Sequence, residues 1–175
     1  MQDSILSPEE LRAAMVNELV SRQRDLGKIK LQKLVYFLQE AFGLPLGCRF
    51  YLHHYGAYSD EVETAISNLK FMGYVVVQPD PSGYGFHVTP APASEGEPGW
   101  SSVAESARES VDALLDRFGS MDTSQLELAS TIHFVKRKFG LKKSDVITSV
   151  RLRKPKFRKE AIAKTYDDLA SMGMI

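Results

Sequence analysis

The sequence predicts an α+β fold, mostly α-helical, with a small antiparallel β-sheet in a winged-helix-like first half and a helical second half. Apolar residues recur at helical spacing in several blocks, among them Leu31, Leu34, Val35, Leu38 and Phe42, and later Leu128, Ile132, Val135 and Phe139. Short stretches with the alternation of a strand, Phe50 to His53, Tyr74 to Val77 and Tyr84 to Val88, are confined to the first half. Between Thr89 and Trp100, Pro90, Pro92, Gly96, Pro98 and Gly99 stand among small polar residues and read as a surface linker. The expected division is a helical and wing-like lobe over 1–89, a linker over 90–101 and a helical lobe over 102–175, packed as one compact unit.

Ser7-Pro8-Glu9-Glu10 opens the first helix with a capping serine, proline in the first turn and glutamate three residues after the cap, and that helix is expected to end near Arg24. Asp25-Leu26-Gly27 reads as a break before a helix from Lys30 to Phe42, in which Lys30, Lys33 and Glu40 lie off the apolar stripe. After the short strand, Tyr55-Gly56-Ala57-Tyr58 reads as a turn. Ser59 then caps a helix whose first turn holds Asp60, Glu61 and Glu63 and whose apolar face is Val62, Ile66, Leu69 and Met72. Gly73 stops it, and a hairpin folds around Pro79 to Gly83. A helix-turn-helix motif joins its helices by only about 3 to 4 residues, so the loop and strand between Phe42 and Ser59 make this half wing-like without establishing it as a DNA reader. In the second half, Val103 to Phe118 and Leu128 to Phe139 mark two helices. Ser144 is expected to cap a third that reaches Leu152, and a last helix runs from about Lys156 to Met172, with Gly173 as its stop.

Composition narrows the function classes. Hydrophobic residues are 43% and charged residues 25%, ordinary for a globular protein, and Cys48 is the one cysteine, so no disulfide framework exists. No run of about 18 apolar residues and no basic leader with an apolar core is present, and a cytoplasmic protein with no membrane partner is expected. Formal net charge is zero, yet residues 1–135 carry 10 Lys and Arg against 18 Asp and Glu, while residues 136–175 carry 12 against 4. Arg151, Arg153, Lys154, Lys156, Arg158 and Lys159 crowd one turn, so they face solvent, phosphate or an acidic protein, which includes this chain's own first half.

Catalytic signals are weak. His53 and His54 are adjacent on a strand and so are expected on opposite faces, and His87 and His133 have no neighbours at metal-ligand spacing. Ser59 lies in no nucleophile elbow, and Gly83-Tyr84-Gly85 lacks phosphate-loop spacing. No catalytic residue, metal or cofactor is expected. Tyr36, Tyr51, Tyr55 and Tyr58 suit either a half-buried core between elements or a partner surface, since tyrosine joins large contact area to a hydrogen-bonding tip.

Lys30-Leu31-Gln32-Lys33-Leu34-Val35-Tyr36-Phe37, followed by Phe50-Tyr51-Leu52-His53-His54-Tyr55-Gly56-Ala57-Tyr58-Ser59, resembles the Panacea or SocA-type antitoxin domain, including its YwgA-like branch. Val146 to Ile175 is similar to that family as well, whereas Ala57 stands where the family usually has proline after Tyr-Gly. The resemblance falls on Lys30, Leu31, Gln32, Lys33, Tyr36, Tyr55, Gly56 and Tyr58. It implies a non-enzymatic protein-binding module that neutralises a cognate toxin, directly or as an adaptor to a protease. With Tyr51 added, Lys30, Lys33, Tyr36, Tyr55, Gly56 and Tyr58 are the expected partner-binding residues. A DNA-binding regulator using Arg151 to Lys159 is the alternative, an accessory protein of phage or host defence a third, and a homo-oligomer is compatible with each.

Overall fold

The computed structural model describes residues 6–23, 26–92 and 105–175. Seven helices and five strands follow in the order α1 (Pro8–Arg22), β1 (Leu26–Gly27), α2 (Lys28–Glu40), β2 (Tyr51–His53), β3 (Gly56–Tyr58), α3 (Asp60–Phe71), β4 (Val75–Pro79), β5 (Phe86–Pro90), α4 (Glu105–Phe118), α5 (Thr123–Phe139), α6 (Lys143–Arg153) and α7 (Lys159–Ser171) among the described residues. The fold is α+β and mostly helical. The expected linker and Val103 fall largely at 93–104, outside the described residues.

The capping signals act as their chemistry dictates. Ser7 and Glu10 form a reciprocal capping box on α1, and Asp122 and Gln125 form a second on α5 that the sequence reading missed. At the ends of α3 and α7, Gly73 and Gly173 adopt φ +78° and +71°. Tyr74 N and Met174 N then donate to the carbonyls of Leu69 and Leu169 at 2.9 and 3.0 Å, the Schellman pairing. Ser59 does occupy the N-cap of α3, but its hydroxyl donates to the Glu61 carboxylate (2.6 Å) and accepts from no helix amide. Ser144 caps nothing: α6 begins one residue earlier with Lys142 as its N-cap, and α7 begins at Lys159, leaving 154–158 as the turn.

Two short elements escaped the sequence reading. Leu26–Gly27 is a strand rather than a break, and Gly56–Tyr58 is a strand rather than a turn, pairing Tyr51 with Tyr58 and His53 with Gly56 across a two-residue connection. β1 pairs antiparallel with β5, and β5 with β4, giving the order β1-β5-β4. Helix, strand, two helices and a hairpin that returns to the first strand is the winged-helix path, with residues 41–59 inserted between α2 and α3.

The core is built on α2 and α5. Leu31, Leu34, Val35, Phe37 and Leu38 of α2 are fully buried, and Phe37 stacks on Phe118 of α4 with centroids 4.2 Å apart and planes 10° apart. α5 is buried on almost every side from Leu126 to His133, so polar Glu127, Ser130, Thr131 and His133 lie in the interior and need partners there. Phe139 and Met72, expected on buried faces, sit at helix ends and are half exposed.

Candidate partner-binding surface

The insertion at 41–59 is held by its main chain. Gln32 of α2 brackets Ser59, its Nε2 donating to the carbonyl and its Oε1 accepting from the amide, each at 3.0 Å. Gln39 does the same for Cys48 at 2.8 Å on both sides. Lys33 Nζ donates to the Ala57 carbonyl (2.8 Å), Arg12 Nη1 to the Leu46 carbonyl (2.7 Å), and Lys154 Nζ to the carbonyls of His53 (3.2 Å) and His54. Five side chains from α1, α2 and the α6–α7 turn thus satisfy backbone groups that a loop packed on a core would otherwise leave bare.

This explains the Lys30-Leu31-Gln32-Lys33 run better than surface contact does. Lys33, expected off the apolar stripe and at a partner surface, is 1% exposed. Burial, with Lys154 nearby, lowers its ammonium to about 7, against the opposing pull of Glu127. Tyr36 is equally buried, its hydroxyl 2.7 Å from Nδ1 of His133. Burial raises the Tyr36 phenol and, with Arg137, lowers His133 to about 4, so both are neutral near pH 7. Lys30 Nζ donates to the Gly119 carbonyl at 2.7 Å and ties α2 to the end of α4. Gly56 is buried at φ +91° against α5. Lys33, Tyr36 and Gly56 therefore lie buried beneath the surface and support it; periodicity did not reveal this because the polar tips of Lys33 and Tyr36 reach past the apolar stripe to a distant carbonyl and ring, and the site of Gly56 is set by its packing on α5.

Glu127 is the hub, a residue sequence reasoning missed because it lies far along the chain from its partners. It is 2% exposed, with Oε2 accepting from Lys156 (2.7 Å) and Oε1 lying 3.0 Å from Lys154 Nζ. That second contact is ionic and not a hydrogen bond, and Lys154 gives its hydrogen bonds to the hairpin carbonyls. The expected basic cluster is thus divided: Lys154 is buried and structural, and Lys156 shares its carboxylate. Arg151 donates to the carbonyls of Pro155 and Phe157 in its own turn, and Arg153 to Ser149. Among the described residues no carboxylate pairs with Arg151, Arg153, Arg158 or Lys159.

Outward from these clamps stand the aromatics. Tyr51 and Tyr55 are 40% and 50% exposed. Tyr58 meets Tyr51 edge-on at 5.6 Å and His53 at 5.4 Å. The His53 and His54 rings are 4.8 Å apart, not on opposite faces, because the strand ends at His53 and His54 lies in the turn. No group of three His, Cys, Asp or Glu able to hold a metal occurs among the described residues. Beside the hairpin a groove of about 220 Å³ is walled by Ile29, Gln32, His53, Tyr55, Tyr58 and Phe86. Lys28 lies over Phe86 (5.4 Å) and pairs with Glu63 at its rim.

Lys33 carries a pH prediction. The unfolded chain, with its lysine near 10.5, holds a proton that the folded chain releases above about 7. Stability should therefore rise with pH between about 7 and 9, by at most about 1.4 kcal/mol per pH unit, and fall as pH drops through that window. Urea unfolding of Lys33→Met should lose this slope; parallel curves for the two proteins would discard the assignment.

No helix among the described residues is long and apolar enough to cross a membrane. Compared with models of known protein families and with curated proteins, the chain matches none.

Proposed function

We propose that this chain is a non-enzymatic protein-binding module of the antitoxin kind, acting in the cytoplasm by capturing a partner toxin, either to block it or to present it to a protease. The carrying observation is the aromatic face of Tyr51, His53, Tyr55 and Tyr58, displayed on a hairpin whose backbone is fastened from beneath by Gln32, Lys33 and Lys154. A rigid scaffold presenting aromatic side chains at low entropic cost is the arrangement protein recognition favours. The resemblance to the Panacea or SocA-type domain supports the same reading.

A tagged full-length protein should retain a single nuclease-resistant protein from its native host, and co-expression should relieve the growth arrest that this partner causes. Tyr55→Ala with Tyr58→Ala should abolish both while leaving the melting temperature within a few degrees. Capture that disappears with nuclease, or a partner whose expression is harmless, counts against the proposal.

The second reading, a DNA-binding regulator, draws on the four cations of the α6–α7 turn that no described carboxylate neutralises. A phosphate contact of this kind should weaken with salt at a log-log slope near −0.9 per phosphate. The winged-helix half offers it little help. Residues 60–90 carry Asp60, Glu61, Glu63 and Asp80 against Lys70 alone, so the helix and wing that would approach DNA are acidic.

A further inference from the structure

The groove beside the hairpin is one half of a larger site. His53 walls it on one side and on the other borders a second depression, formed with Leu52, His54, Arg153 and Lys154. An apolar socket and a cationic shelf therefore adjoin, sharing one imidazole. On the socket side Lys28 and Glu63 pair at the rim, and Lys33, which also lines the groove, is buried with its ammonium donating to the Ala57 carbonyl. The shelf side carries excess positive charge: among the described residues Glu127 of α5 is the one carboxylate paired with the six cations around the α6–α7 turn, and Arg153 lines the depression with its guanidinium on Ser149. Charge complementarity asks an occupant to bring a negative group to the shelf and an uncharged apolar group to the socket.

We infer that this composite site docks a short extended protein segment in which an aromatic or aliphatic side chain, seated among Tyr55, Tyr58 and Phe86, is followed or preceded closely by Asp or Glu, seated at Arg153 and His54. The inference rests on the protein-binding reading and gives that partner its chemistry. A nucleic-acid strand fits less well. Its base would suit the aromatic socket, but its phosphates would run past Glu63 at the rim and past Asp60, whose carboxylate accepts from Tyr51 Oη at 3.3 Å.

Panning a library of random twelve-residue peptides on the full chain, then measuring the best synthetic peptide by fluorescence anisotropy, tests it. Enriched peptides should pair an acid with an apolar residue. Tyr55→Ala and Arg153→Glu should each weaken binding at least tenfold, with unchanged thermal melting because both side chains point outward. Phe71→Ala, which removes a 92% exposed apolar side chain outside the site, should change nothing. Basic or charge-indifferent peptides, no enrichment, equal loss in the Phe71 variant, or tighter binding of a twelve-nucleotide single strand would each overturn the inference. If a native toxin is captured and neutralised but ignores Tyr55→Ala and Arg153→Glu, the docking site is wrong and the antitoxin reading stands. If the peptides behave as expected and no toxin is neutralised, the reverse holds.

Discussion

Glu127→Gln is expected to lower the free energy of unfolding by about 3–5 kcal/mol, the usual loss when one member of a buried ion pair is removed. The amide preserves shape, so cavity formation is not the cause. What disappears is the carboxylate that lies 3.0 Å from the nearly buried Lys154 ammonium and opposes the burial cost of Lys33. Lys156 suffers less, because its side chain is half exposed and can return to water. Lys154 cannot return without releasing the carbonyls of His53 and His54, so the loss should spread to the hairpin and show as faster amide exchange from Tyr51 to Tyr58. Urea unfolding is the measurement. Adding Lys154→Met to Glu127→Gln should recover part of the loss, because the orphaned charge is then gone. A single-variant loss below about 1 kcal/mol would mean that the cluster contributes nothing to stability.

Gly56→Ala should be comparably damaging for a different reason. A Cβ there meets Ser130 Oγ at 3.0 Å, the Glu127 carbonyl at 3.1 Å and Thr131 Oγ1 at 3.2 Å, and φ is +91°. The backbone conformation costs a residue with a side chain about 1–3 kcal/mol, and overpacking against the α5 main chain adds about 1–3 kcal/mol. Gly83 separates the two contributions, since it has φ +83° with open space around it. Gly83→Ala should show the backbone cost alone, and Gly56→Ala should exceed it. Equal losses by thermal unfolding would show that the α5 contact is soft.

Much of this architecture can be read from residue order. Ser7 and Glu10 announce α1, Gly73 and Gly173 announce their helix stops, and the apolar stripes locate α2 and α5, because each of these signals is local and its physics acts within one or two turns. The parts that could not be read depend on partners far along the chain. Leu26–Gly27 is a strand only because Val88 and His87 lie opposite. Lys33 and Lys154 look like surface cations until Ala57, His54 and Glu127 surround them, and the expected basic patch loses Lys154 for that reason. The tyrosines divide in the same way: nothing in their spacing separates Tyr36, buried on His133, from Tyr55 in solvent.

The clamps on the hairpin grip amides and carbonyls, which every residue type carries. Tyr51, His53 and Tyr55 accordingly bear little of the fold, and substitutions among them leave the bonds from Gln32, Lys33 and Lys154 in place. Selection is therefore free to rewrite the outward face while the scaffold beneath it stays constant, as it does with the loops of an immunoglobulin. Under the proposed protein-binding function, close relatives in sequence could by this route diverge to unrelated targets within few substitutions, and a library varied only at these positions would be a direct path to new binding specificities.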